Sequence, residues 1–320
     1  MLIYGKCPLK DFAPASHCCP MPAEKNRRLK PMPMRSLLFV PADSPRKLAK
    51  AGGSGADVLL LDLEDSVALP AKEAARNLAR DFLASAMRGA GGPRLYVRIN
   101  SLGSGLADAD LDVVLPARPD GILLPKSGSG RDVQHLSAKL AVREAESGLD
   151  DGATQIIAIA SETAAAVFQL GTYAGCSQRL AGLTWGAEDL GTDVGALSSR
   201  RGDGTLTSPF QLARSLTLFG ATAAGVAAID TVFADFRNEA GLRAECEAAR
   251  RDGFVGKMAI HPEQVAVINA AFMPTPEDLA RAQAIVGLFA DNPEAGVVAL
   301  NGQMLDRPHL QRAQRVLGLG

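Results

Sequence analysis

Residues 155–189 read QIIAIASETAAAVFQLGTYAGCSQRLAGLTWGAED. The segment opens on a short apolar run (155–160), turns amphipathic, and closes on a second apolar run (180–185). Short β-branched runs of this kind, bounded by small and polar residues, are what strands buried in a parallel sheet require. An acid follows each run closely: Glu162 after the first, Glu188 and Asp189 after the second. The segment therefore predicts a strand, a helix and a second strand, with carboxylates where the strands end.

The same unit recurs on both sides. Further runs lie at 36–40, 57–61, 94–99, 121–124, 225–229 and 254–260. Between them, residues 71–87 place Leu78, Phe82 and flanking alanines on one helical face and Lys72, Arg76 and Arg80 elsewhere. Residues 131–146, 161–171, 208–220, 239–251 and 262–271 read as helices in the same way. About eight strand–helix units in about 240 residues match an α/β fold of the TIM (β/α)8 barrel type. A doubly wound open sheet is the rival, because it uses the same unit with fewer strands.

The ends differ from this middle. Residues 1–33 carry six prolines, a cationic cluster over 25–30 and no periodicity, which predicts a disordered arm. Met34 opens the first strand, so a translation start at Met32 or Met34 is one expectation. His17-Cys18-Cys19 belongs to this loose arm, since a zinc site needs a fourth ligand and a folded frame. After the barrel, taken as 34–272, the break Met273-Pro274-Thr275-Pro276 leads into a C-terminal extension or lid over 273–320. That extension holds a helix over 277–289, an apolar piece at 296–300 and a last helix from Pro308.

Composition narrows the function. Of 320 residues 47% are hydrophobic, enough to fill one large barrel with an appendage. The net charge of −1 leaves no basic excess to attract nucleic acid or anionic lipid. Five scattered cysteines form no disulfide framework, so a reducing cytoplasm is the natural compartment. No apolar run approaches the ~20 residues of a membrane span, and MLIYGKCPLK lacks a signal-peptide core.

In a TIM barrel the chemistry gathers where strands pass into the following loops. There this chain places Asp62, Glu64 and Asp65; Arg98 and Asn100; Lys126; Glu162; Glu188 and Asp189; Asp230; and His261, with Lys257 inside the last run. No Ser-His-Asp set, no Cys with a His partner and no phosphate loop stands out. Hard oxygen ligands point to Mg2+, with Mn2+ as the alternative, rather than zinc. Glu162 and Asp189 follow consecutive strands about 4.8 Å apart, so both can reach one ion. Spacing alone leaves open the alternative that the two acids serve helix N-termini.

Taken in order, RSLLFVPADSP, LLLDLEDSV, LYVRIN, ILLPKS, ASETA, TWGAEDLGTDVG, GVAAIDTVFADF, GFVGKMAIHPEQV and NGQMLDRPHLQRA resemble the citrate lyase β-subunit-like family of the HpcH/HpaI aldolase superfamily. The resemblance runs from about Arg35 to the end. It implies a TIM barrel with a C-terminal extension, and carbon–carbon lyases acting on CoA thioesters, related to malyl-CoA and citramalyl-CoA lyases. It further implies Glu162 and Asp189 as metal ligands, Glu162 thereby also meeting substrate. Arg98 becomes the substrate-binding and catalytic arginine, and Asp306 a catalytic carboxylate covering the site of a neighbouring subunit in a homotrimer or larger assembly. Departures are Ala42 for a usual Gly, Ser161 for a bulkier apolar residue and Asn238 for an acid.

The implied reaction cleaves a 3-hydroxyacyl-CoA into a 2-oxo acid and an acyl-CoA, or runs in reverse. Glu64 then partners Arg98 or a metal-bound water, against a solvated acidic loop. Lys126 binds substrate or balances charge, against a structural ion pair. Asp306 also stands where a helix N-cap would, before Arg307 and Pro308. His261, Arg46 and Lys47 are weighed as CoA contacts against capping and a solvated face. The rivals are an aldolase on free acids, a malyl-CoA thioesterase and a non-catalytic subunit.

Overall fold

The computed structural model describes residues 34–86 and 92–318. The expected arm and His17-Cys18-Cys19 lie outside the described residues. Strands β1 (Ser36–Pro41), β2 (Val58–Asp62), β3 (Arg94–Arg98), β4 (Gly121–Leu124), β5 (Gln155–Ile159), β6 (Leu180–Thr184), β7 (Ala227–Asp230) and β8 (Gly256–Ala259) form one closed barrel in sequence order. Every neighbouring pair is parallel, and β8 returns to β1 through Ser36↔Lys257 and Leu38↔Ala259. Closure excludes the open sheet.

The two-residue period of each strand divides its side chains. Val58 and Leu60 of β2, Tyr96 of β3, Ile157 and Ile159 of β5, Ile229 of β7 and Met258 of β8 share the barrel interior. Leu59, Leu61, Leu95, Val97, Ile156, Ala158, Leu183 and Ala259 pack outward in the larger layer shared with the helices. At β4 the interior needs room: a Cβ on Gly121 would collide with the Tyr96 ring.

The helices are α1 (Pro45–Ala51), α2 (Lys72–Ser85), α3 (Ala107–Val114), α4 (Gly130–Glu146), α5 (Ala164–Val167), α6 (Ala187–Asp193), α7 (Ser208–Ala224), α8 (Glu239–Asp252), α9 (Pro262–Phe272), α10 (Pro276–Asp291) and α11 (Arg307–Val316). The helix expected over 161–171 is only one α turn, α5, followed by a 3-10 turn at Leu170–Tyr173. The run expected from Gly225 starts later because Gly225, at φ +68, closes α7 with a left-handed cap. Residues beyond α9 make α10, a hairpin of β9 (Val297–Leu300) and β10 (Gln303–Asp306), and α11. Ala282, Ile285, Phe289, Leu305 and Ala313 give this extension a small core of its own. Among the described residues, no helix is long and apolar enough to cross a membrane.

Candidate active site and metal centre

Strand alternation decides which polar groups meet. Since Val58 and Leu60 point inward, so does Asp62 at the end of β2, and since Tyr96 points inward, so does Arg98 at the end of β3. These two residues are register partners. Arg98 Nε donates to Asp62 Oδ1 at 2.6 Å and Nη2 donates to Oδ2 at 2.7 Å, a bidentate fork. Nη1 lies 2.9 Å from Glu64 Oε2, a charge contact outside hydrogen-bond geometry that leaves this oxygen without a hydrogen bond. The guanidinium also sits 4.8 Å over the Phe39 ring. Burial pushes the Asp62 pKa up, but the Arg98 fork outweighs it and holds the carboxyl below the usual range. Burial likewise opposes the Arg98 charge, and Asp62, Glu64 and Asp65 more than offset it.

Lys126 follows β4 and joins this pair to the expected metal ligands. Its Nζ contacts Glu64 Oε1 at 2.7 Å, Asp65 Oδ1 at 3.3 Å and Asp189 Oδ1 at 3.7 Å. Its backbone N–H donates a short hydrogen bond to Glu162 Oε2. The residue holds a left-handed φ of +51, rare for a side chain without a local partner for that backbone.

Glu162 is 3% exposed. Burial, then the charges of Asp189 and Glu64, push its pKa up to about 8 against the opposing Lys126 amide and ammonium. Its carboxylate fits only because residue 186 is glycine: a Cβ there would stand 2.7 Å from Glu162 Cγ. The helix-terminus alternative fits Asp189, which lies in the first turn of α6, but not Glu162, which precedes the N-cap of α5. The hydroxyl of Thr163 caps α5 by accepting from the Ala166 N–H, and the N-cap of α6 is Gly186, with Asp189 inside its first turn. Ser161 shares a 3.1 Å hydrogen bond with Thr217 of α7.

A cavity of about 930 Å³ opens at this end of the barrel. Asp62, Asp65, Arg98, Glu162, Glu188 and Asp189 line it together with Phe39, Ile159, Thr184, Trp185 and Met258. Glu64 and Lys126 stand behind this lining and connect to it through ion pairs. Arg46, Lys47 and Lys50 of α1 form a cationic part of the wall. His261 also lines the cavity, while its Nδ1 caps α9 by accepting from the Glu263 N–H and its ring stacks on Phe236 at 4.7 Å.

The donor set fits a magnesium ion. Two carboxylates face one cavity, one of them buried and short of positive charge, as a site completed by a cation needs. Among the described residues no group of three or more His, Cys, Asp or Glu side chains is placed to hold a metal. Two carboxylates with water and substrate oxygens is nonetheless how Mg2+ is commonly bound.

Asp306 is elsewhere. It ends β10, occupies the N-cap of α11, and pairs with His309, whose Nδ1 lies 2.5 Å from Oδ1. That contact holds its carboxyl below the usual range. It is not part of the cavity lining. One chain thus gathers Arg98, Glu162, Asp189, Glu64 and Lys126 but leaves Asp306 apart. Sequence reasoning misses Asp62 as the orienter of Arg98. A signal for it exists: Asp62 stands two and four residues after the inward Leu60 and Val58.

A family model described as HpcH/HpaI aldolase/citrate lyase matches residues 35–262. The chain belongs to this family. A second model, described as a C–C bond lyase of the TIM-barrel fold, matches residues 208–320 and so reaches through the extension. Citrate lyase subunit beta of Leuconostoc mesenteroides subsp. cremoris is 35% identical over 258 residues, 81% of this chain and 82% of that one. The mitochondrial citramalyl-CoA lyase of Rattus norvegicus is 33% identical over 291 residues, 86% of this chain and 81% of its own. The crystal structure of CitE from Mycobacterium tuberculosis in complex with magnesium, acetoacetate and coenzyme A superposes with a TM-score of 0.74 at 34% identity. The match covers 91% of this chain and 100% of that one. These relatives are named as lyases, another relative, from Cereibacter sphaeroides and 35% identical over 257 residues, is named (3S)-malyl-CoA thioesterase, and one solved family structure holds both magnesium and coenzyme A.

Proposed function

We propose that the chain is a Mg2+-dependent carbon–carbon lyase that cleaves, or forms, a 3-hydroxyacyl-CoA, with a 2-oxo acid and an acyl-CoA as the other side of the reaction. The observation that carries this reading is the meeting of Glu162, Asp189 and Arg98 in one cavity whose wall also presents Arg46, Lys47 and Lys50. An anionic chelating head and a polyphosphate tail are what such a cavity suits.

Glu162 and Asp189 would hold the ion, which when bound supplies Lewis-acid polarisation of the oxo-acid oxygen. Lys126 fixes Glu162 through its amide and faces Asp189 with its ammonium, so both carboxylates are oriented before substrate arrives. Arg98, held on one edge by Asp62, lines the cavity and stabilises the charge of the thioester enolate as the carbon–carbon bond breaks. Glu64 positions Arg98 and Lys126 between them. Arg46 and Lys47 take phosphates of the CoA.

Asp306 moves the proton at the acyl α-carbon, and it does so from a neighbouring copy. Its place outside the cavity of its own chain supports a homotrimer or larger assembly in which residues 273–320 act as a lid. The free cysteines Cys176 and Cys246 fit a reducing cytoplasm.

The test is a screen of citryl-, malyl-, methylmalyl- and citramalyl-CoA with Mg2+, following oxo acid and free thiol separately. Oxo acid released from a thioester, and lost with EDTA, is the expected result. Free thiol without carbon–carbon cleavage would make the chain a thioesterase. Activity confined to free hydroxy acids would make it an aldolase, and inertness on all of them a non-catalytic subunit.

A further inference from the structure

We propose that Thr184 is a substrate-binding residue, its hydroxyl donating a hydrogen bond to the carboxylate of the 2-oxo acid. The inference rests on the lyase reading and names how the oxo-acid end is recognised.

Thr184 is the last residue of β6. Leu183 packs outward and a Cβ on Gly182 would meet Ile229 of the barrel interior, so Thr184 points inward, into the cavity. It is 1% exposed, and its Oγ1 has no hydrogen-bond partner in the protein. A hydroxyl buried in this way loses its water bonds and gains nothing, and valine would fill the same space without that loss. The strand does not need the hydroxyl: its backbone carbonyl accepts from the Ala160 N–H at 2.8 Å whatever the side chain.

The surroundings say what the hydroxyl meets. Ile159, its register partner on β5, and Met258 on β8 make the adjoining floor apolar. Two residues further on, Gly186 leaves the space that the Glu162 carboxylate fills. The hydroxyl thus belongs to the same strand end that makes room for Glu162, in a cavity that Glu162 and Asp189 also line, with apolar Ile159 and Met258 among its neighbours in that lining. A neutral donor suits a carboxylate whose charge the metal and Arg98 already offset. A short 2-oxo acid, with an oxygen turned toward Thr184 and its carbon chain over Ile159 and Met258, matches this floor.

Trp185, the only tryptophan, lines the same cavity and reports occupancy. Its fluorescence is followed while Mg2+-loaded protein is titrated with pyruvate, glyoxylate and oxaloacetate, for wild type, Thr184→Val and Thr184→Ser. Loss of a hydrogen bond to a charged acceptor raises the dissociation constant about 10- to 100-fold in Thr184→Val. Thr184→Ser stays within a few-fold of wild type, and the melting temperature of Thr184→Val is unchanged or higher. Wild-type affinity in Thr184→Val overturns the proposal while leaving the lyase reading intact. Equal losses in Val and Ser also overturn it, as an effect of packing. If wild type binds none of the three oxo acids with Mg2+, the lyase reading and this inference fall together.

Discussion

Replacing Glu162 by glutamine removes a buried ionisable group while keeping the shape of the side chain and an oxygen for the Lys126 amide. In the metal-free chain, burial and the neighbouring Asp189 and Glu64 lift the Glu162 pKa from 4.5 to about 8. Between those values the folded chain keeps a proton that the unfolded chain has released. Stability therefore falls as pH rises through this window and levels off above it. At about 1.4 kcal/mol per unit, the penalty in wild type is about 1 kcal/mol at pH 5, about 3 at pH 7 and nearly 5 at pH 9. Glu162→Gln carries none of it. Urea unfolding in EDTA at these three pH values is expected to show Glu162→Gln more stable than wild type, by a margin that widens with pH. Added Mg2+ should then stabilise wild type and leave the variant unchanged, because only the carboxylate form binds the ion. A margin that is flat with pH, or a variant less stable throughout, would refute the argument that burial strains this carboxylate.

Asp189→Ala removes a half-exposed carboxylate, so it should unfold within about 0.5 kcal/mol of wild type while Mg2+-dependent turnover falls below detection; unchanged turnover takes Asp189 out of the site. Asp62→Asn leaves the half-buried Arg98 without its bidentate partner, and a loss of about 3 kcal/mol in stability with a lowered kcat is expected from denaturation and steady-state assays. Mixing inactive Asp306→Asn with inactive Glu162→Ala under conditions that exchange subunits should restore part of the activity, since some sites then pair an intact cavity with an intact neighbouring lid. No recovery, in a protein shown by light scattering to exchange, places Asp306 outside catalysis or within its own subunit's site.

The barrel is legible in the sequence because a parallel sheet covered on both sides needs largely apolar strands, and the eight runs approach this, with Arg98 and Lys257 among the polar exceptions. Boundaries slip where a single residue carries two possibilities: Gly225 reads as a strand start, yet its φ of +68 serves the end of α7. The helix over 161–171 is shorter than its composition suggests, since the chain leaves the α turn at Val167 and tightens into the 3-10 turn Leu170–Tyr173. The hairpin strand β10 is hidden because its pairing with β9 is a contact that periodicity does not encode. In the site, strand-end position puts Arg98, Glu162 and Asp189 among the candidates, and the ordered motifs of the family resemblance are what set them apart from the other strand-end charges. Glu64 and Lys126 are visible as charges, but their joint ion pair requires the register of β2, β3 and β4. Asp62 and Thr184 stay hidden for opposite reasons: one reads as an ordinary loop acid, the other as an ordinary strand residue, and only the inward turn of each strand end distinguishes them. That Asp306 stands outside the cavity of its own chain cannot be read from the sequence, because it depends on where the extension folds and not on any local pattern.

Lys126 has an evolutionary consequence. Its backbone conformation, costing of the order of 1 kcal/mol or more for a non-glycine residue, would be relieved by glycine or asparagine. Either replacement would abandon the ammonium that faces Glu64, Asp65 and Asp189. Arginine would keep a charge but spread it over a wider plane than this crowded corner presents. Position 126 is therefore caught between a main-chain demand and a side-chain demand that no other amino acid meets together. Drift in the loop after β4 should accordingly accumulate around this residue rather than at it.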